Sequence, residues 1–171
     1  MESLKYQFNW SLIGDINLGR PNLGNSTSVE MYRLMQFTFR EVVEKKYGKE
    51  KADEIFYESG YISGKAFFDQ YITRTDDMNH FLRQLQEALK ILRVGILRIE
   101  ELNLDKGTVL MTVSEDLDCS GLPEAEYEVC KYDEGFIAAL FEKQTGNCFE
   151  VKEIDCWTTG DRTCRFRAQK R

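Results

Sequence analysis

The chain has 171 residues, of which 42% are hydrophobic and 30% are charged. This size and composition are typical of one folded, soluble domain. The formal net charge of −6 argues against a nucleic-acid partner, because phosphate binding depends on clustered Lys and Arg. The sequence has neither a basic and apolar leader nor an apolar run of membrane-spanning length, so we expect a cytoplasmic protein without membrane contact. In a reducing compartment its five cysteines are expected to be thiols or metal ligands.

The amino-terminal part divides into an arm and the start of a domain. Residues 1–28 are predicted to form a turn-rich arm that packs on the domain or on a partner subunit, and residues 29–171 to form a single domain. Residues 27–30, Thr-Ser-Val-Glu, have the form of a capping box that begins a helix ending at Gly48. The side chains that recur at helical spacing in it are Met31, Leu34, Met35, Thr38 and Val42.

Two further helices are predicted over about residues 50–71 and 75–92. Gly60 and Gly64 lie one turn apart on one face of the first, which permits a neighbouring helix to approach closely, at a cost of about 1 kcal/mol each relative to alanine. The second is amphipathic, and its pattern places His80 on or near the polar face, where it would contact solvent.

The rest of the chain is predicted to form a sheet with a helix inserted. Runs of β type over residues 96–104 and 108–114 are joined by a compact hairpin turn. Pro123 suits the start of a fourth helix that extends to about Thr145. Strands follow over about 148–156 and 163–168. N-terminal helices packed on a small antiparallel sheet, with one inserted helix, make an α+β fold.

One carboxylate in the last hairpin stands out. If residues 148–156 form a regular strand, Phe149, Val151 and Glu153 point to the same side of the sheet. A carboxylate on an apolar face is costly to bury unless it is paired or bound to a cation. This pattern indicates a cation near Glu153.

Three thiols are placed to meet that carboxylate. Cys156 follows at the strand end, Cys164 stands across the turn, and Cys130 is expected in the first half of the fourth helix. Zinc accepts mixed thiolate and carboxylate ligands, and a site with four protein ligands is structural. The alternative is that these are ordinary buried cysteines, which are common in protein cores.

The same segment resembles the 4-vinyl reductase domain family over about residues 95–168. The positions on which the resemblance rests are Cys130, Gly135, Phe136, Ala138, Leu140, Thr145, Gly146, Val151, Glu153, Cys156, Gly160, Asp161, Cys164 and Phe166. The resemblance implies a stand-alone protein of the hydrocarbon-binding type, with a fold similar to that of heme NO-binding domains and of TRAPP Golgi transport subunits.

The family also implies a cofactor. In its aromatic sensors a structural zinc is held by three cysteines and a glutamate, at positions that match Cys130, Glu153, Cys156 and Cys164. Cys119 and Cys148 lie outside this set, which leaves a redox-sensing role open as a competing hypothesis.

A ligand pocket is predicted among apolar and aromatic side chains of the two long helices and the first hairpin, where a tyrosine hydroxyl would orient the ligand. The candidate residues are Phe56, Tyr61, Phe67, Phe68, Tyr71, Phe81, Leu97 and Met111. The alternative is that most of them are core residues.

We therefore expect a non-enzymatic domain that binds or senses a small hydrophobic or aromatic molecule, contains structural zinc, forms a homodimer and signals through a partner protein. The family name suggests a second hypothesis, an enzyme or accessory of tetrapyrrole 4-vinyl reduction. No catalytic constellation is visible in the sequence to support it. A scaffold like the transport subunits is the third.

Overall fold

A computed structural model describes residues 6–125 and 127–171 of the chain as helices laid against one antiparallel sheet. The helices are α1 (Ile16–Gly19), α2 (Val29–Tyr47), α3 (Lys49–Tyr71), α4 (Met78–Ile91) and α5 (Lys131–Thr145), and the strands are β1 (Ile96–Asn103), β2 (Thr108–Ser114), β3 (Phe149–Asp155) and β4 (Cys164–Lys170). The sheet order is β1-β2-β4-β3, with every neighbouring pair antiparallel. The predicted α+β class with one helix inserted into the sheet is confirmed. Among the described residues, no helix is both long and apolar enough to span a membrane.

One face of the sheet forms the floor of the core. Side chains alternate along β3, so that Phe149, Val151 and Glu153 are buried while their neighbours are more exposed. Helix α4 packs beside β1 and α5 beside β3 on this face. Phe141 of α5 and Phe166 of β4 are fully buried between the layers.

Helices α3 and α5 cross with their backbones in contact. A Cβ atom at Gly60 would overlap the backbone of Tyr132, and one at Gly64 would overlap that of Phe136. From the other side, a Cβ atom at Gly135 would overlap the backbone of Tyr57. The close approach predicted for Gly60 and Gly64 is confirmed, and it fixes the height of α5 above the sheet.

The predicted start of the fourth helix is wrong. Helix α5 begins at Lys131, so Cys130 is its N-cap and does not lie within the helix. Pro123 lies in an irregular segment that is bound to the turn after β3, because Ala125 N–H donates to the carbonyl of Thr158 (2.7 Å). That hydrogen bond ties the segment to the turn.

The other helix boundaries shift by a few residues. Ser28, one residue later than the capping box predicts, is the N-cap of α2, and its hydroxyl accepts from Met31 N–H. Helix α4 begins at Met78 because Asp77 caps it through Asn79 N–H. In the arm, Trp10 packs edge-on against Tyr71, with ring centroids 5.5 Å apart, and residues 1–5 lie outside the described residues.

The helix crossing gives a stability prediction. Gly60→Ala should lower the free energy of unfolding by about 2 kcal/mol or more, because the overlap outweighs alanine's better helix propensity. Gly19→Ala, where a Cβ atom meets nothing within 4 Å, is the matched control and should be close to neutral. Urea unfolding measures both. Equal stability of the Gly60 variant and the unchanged chain would contradict the close packing.

Candidate metal centre and adjacent cavity

Four buried thiols meet where the loop after β2, the start of α5 and the β3–β4 hairpin come together. They belong to Cys119, Cys130, Cys156 and Cys164, and their sulfur atoms all lie within 4.8 Å of one another. Cys130 Sγ lies 3.9 Å from Cys156 Sγ and 3.8 Å from Cys164 Sγ. Four sulfurs at about 2.3 Å from one zinc ion form a tetrahedron with edges of about 3.8 Å. Those two distances therefore fit a tetrahedral thiolate site.

The fourth thiol, Cys119, is the residue that the sequence analysis left out. Its Sγ lies 3.0 Å from Cys164 Sγ. The Asp116 carboxylate turns the loop by accepting from the N–H groups of Asp118 (2.9 Å) and Cys119 (3.0 Å). This local turn directs the Cys119 side chain inward.

Helix α2 holds that loop from outside. The Tyr32 hydroxyl donates to Asp118 Oδ1 (2.7 Å). The Arg33 guanidinium donates to the carbonyls of residues 116, 117 and 120 at 2.8–3.3 Å. Two side chains of α2 thus position Cys119 from more than 80 residues away in sequence.

Glu153 lies beside the thiols, as its place on the buried face of β3 predicts. Among the described residues neither of its carboxylate oxygens has a hydrogen-bond partner. Burial, followed by the charge of Cys156, raises the pKa of Glu153 to about 9. However, the set of donor atoms that lie within 4.8 Å of one another consists of the four thiols and does not include Glu153.

The thiols share their protons unequally. Hydrogen bonds from Cys119 and then from Cys130 and Cys164 lower the pKa of Cys156, so its sulfur holds the negative charge. The pKa of Cys130 and that of Cys164 are raised, in each case chiefly by the hydrogen bond with Cys119. The Thr158 hydroxyl, 3.2 Å from Cys156 Sγ, further favours the thiolate there.

Buried acids surround this cluster. Burial is the main cause that raises the pKa of Asp116 to about 7 and the pKa values of Asp118 and Asp133 above their ordinary range. Lys131, the nearby base, pairs instead with Glu134 (2.8 Å). An excess of acidic groups over basic ones favours a bound cation.

A small apolar cavity lies next to the cluster, between α4, α5 and the sheet. Its volume is about 30 Å³. Its lining comprises Leu85, Leu89, Val94, Leu97, Met111, Val113, Asp116, Asp133, Phe136, Ile137, Leu140 and Phe166. Asp133 Oδ2 is buried there without a hydrogen-bond partner among the described residues. The cavity is therefore apolar except for carboxylates at the end near the thiols.

The structure brings two of the eight predicted pocket residues, Leu97 and Met111, to this cavity. Phe81 is fully buried elsewhere in the core, and Phe67 packs on Tyr71 with centroids 4.9 Å apart. The remaining three line separate outer clefts, and they are Phe56, Tyr61 and Phe68.

Two other groups considered in the sequence have clear positions. His80 is exposed on α4, as its place on the polar face predicts. Cys148 is exposed, away from the four buried thiols. The Trp157 indole N–H donates to the Leu122 carbonyl (3.0 Å), which fastens the loop before α5 to the hairpin.

Helices over one face of a four-stranded antiparallel sheet, with a buried thiol cluster at one end, define the class of α+β domain to which this chain belongs. Residues 109–170 match the model of the 4-vinyl reductase domain, and the resemblance to that family is thereby confirmed. The uncharacterized protein MJ0150 of Methanocaldococcus jannaschii is 26% identical over 106 residues, which is 62% of this chain and 60% of that protein.

Solved structures share the fold at low sequence identity. The phenol-responsive sensory domain of the transcription activator PoxR with phenol has a TM-score of 0.64 and 17% identity, covering 78% of this chain and 71% of that chain. A trafficking protein particle complex subunit 3 from Naegleria fowleri, covalently bound to palmitic acid, has a TM-score of 0.68 and 13% identity, covering 84% and 95%. An H-NOX protein from S. oneidensis has a TM-score of 0.56 and 11% identity, covering 86% and 75%. The predicted similarity to both fold groups is confirmed.

Proposed function

We propose that this chain is a non-enzymatic domain of the 4-vinyl reductase type that binds a small hydrophobic or aromatic molecule in its interior, beside a structural zinc ion. The proposal rests above all on Asp133 Oδ2, a buried acceptor that no described residue pairs, at the end of an otherwise apolar cavity. Leaving such a group unpaired costs about 1–3 kcal/mol. A ligand that is apolar at one end and donates a hydrogen bond at the other would relieve that cost.

Ligand entry requires the core to open. A cavity of about 30 Å³ has the volume of roughly one water molecule, so an aromatic ring displaces side chains that now touch. Met111 in its lining is flexible and adapts readily to a new shape. Separation of α4 from the sheet would then report occupancy to the surface. The phenol bound by the structurally similar PoxR domain supports an aromatic ligand class.

Zinc is proposed to be held by the thiolates of Cys119, Cys130, Cys156 and Cys164. Their full burial, their mutual distances and the acidic surroundings support this set. It departs from the family pattern, in which the position of Glu153 supplies the fourth ligand. When bound, a four-coordinate zinc offers no open position and cross-links the segments that hold it.

The non-enzymatic assignment is supported by where the reactive groups lie. His80, the single histidine, is exposed on α4, and the buried thiols are grouped as ligands and not beside a base. We take the domain to act as a homodimer in the cytoplasm and to pass its state to a partner protein.

The metal assignment gives a matched pair of variants. Cys119→Ser should reduce bound zinc well below one ion per chain and lower the melting temperature markedly, because a ligand and a cross-link are lost. Cys148→Ser, at the exposed cysteine, should change neither. Native mass spectrometry and thermal unfolding of protein purified without chelator measure both effects. Full zinc occupancy in the Cys119 variant would remove it from the ligand set.

The ligand assignment is tested with two probes of similar size. Phenol, which donates a hydrogen bond, should bind about tenfold more tightly than toluene, and Asp133→Asn should reduce that preference because a charged acceptor becomes neutral. Asp105→Asn, in the exposed β1–β2 turn, is the control. Calorimetric titration measures the affinities. Equal affinity for phenol and toluene, or binding of neither, would overturn the proposed use of the cavity.

A further inference from the structure

Helix α2 presents apolar side chains to solvent along its outer face. The exposed fractions are 57% for Met31, 56% for Leu34, 68% for Met35, 56% for Phe39 and 49% for Val42. The opposite face is already used by the domain, since Arg40 and Val43 are buried there. A helix that is apolar around most of its circumference is typical of one buried on both sides. The outer face is a contiguous apolar patch, which marks an interaction surface.

The spacing of this patch fits another helix. Met31, Met35, Thr38 and Val42 follow one another at intervals of four, three and four residues, as in the seam of a coiled coil. The Thr38 hydroxyl donates to the carbonyl of Leu34 (2.7 Å), so it is satisfied within its own helix when the seam is covered. Beside the seam, α2 and α3 enclose an apolar groove of about 380 Å³, which would receive the side chains that flank a partner helix.

The pattern is self-complementary when reversed. About a centre between Gln36 and Phe37, a two-fold axis pairs position 31 with 42, 35 with 38, and 34 with 39. Apolar side chains then meet at each level, with the threonine methyl group at position 38. A closed two-fold contact requires this match of a surface with itself. The seam is about 17 Å long, from about 11 residue steps of 1.5 Å each, which is short for a dimer interface.

Charge selects the antiparallel arrangement. The seam ends at exposed Lys45 and Lys46 and begins beside exposed Glu30. A parallel pair would place lysines against lysines, whereas an antiparallel pair brings the lysines to the partner's glutamate end. We infer that the outer face of α2, from Met31 to Val42, is a self-association surface that pairs antiparallel with the same helix of a second copy of this chain. This assignment is independent of the metal and ligand sites, so its failure leaves those proposals standing.

Sedimentation velocity over about 1–100 µM, a range that suits an interface of this size, tests the association. The unchanged chain should shift from monomer to dimer, and Met35→Glu, at the centre of the seam, should weaken dimerisation at least tenfold. Ile91→Glu replaces an equally exposed apolar residue at the end of α4 and should dimerise normally. Circular dichroism and zinc content, compared among the variants, show that Met35→Glu keeps its fold. A monomer at all concentrations, or a dimer indifferent to Met35→Glu, would overturn the inference.

Cross-linking tests the direction. In a Cys148→Ser background, Met31→Cys and Val42→Cys chains should cross-link to each other when mixed, and neither should cross-link to itself. Self-cross-linking of Met31→Cys, without mixed products, would show a parallel pair and contradict the antiparallel assignment.

Discussion

Everything around the candidate site depends on four thiols held at one point. They come from a loop, a helix start and the two strands of a hairpin. One sulfur holds a negative charge that its neighbours stabilise by hydrogen bonds, and buried acids crowd the same region. Such an arrangement is unfavourable as a set of free thiols and acids. It becomes favourable when a cation replaces the shared protons.

The helices place this cluster beside the cavity. Glycines at the α3–α5 crossing set the position of α5, whose start presents Cys130 to the thiols and Asp133 to the cavity. Helix α2 fixes Cys119 from its inner face through Tyr32 and Arg33. Because the outer face of the same helix is the inferred self-association surface, the metal loop and that surface share one rigid element.

The sequence predicted what depends on local periodicity. The four strands, the long helices before the sheet, and the burial of Glu153 all follow from repeats of two or 3.6 residues. The position of Cys119 does not, because its loop takes its shape from hydrogen bonds to Tyr32 and Arg33, distant in sequence. Pro123 misled for the same reason, since the segment around it bonds to the turn at Thr158. The one usable hint of Cys119 was its short Asp-x-Asp-Cys turn.

The most direct test of a four-thiolate centre is X-ray absorption at the zinc edge of the purified protein. The account predicts a single shell of four sulfur atoms at about 2.3 Å. Three sulfurs with one oxygen at about 2.0 Å would place Glu153 in the ligand set instead of Cys119. A preparation without bound metal would contradict the centre altogether.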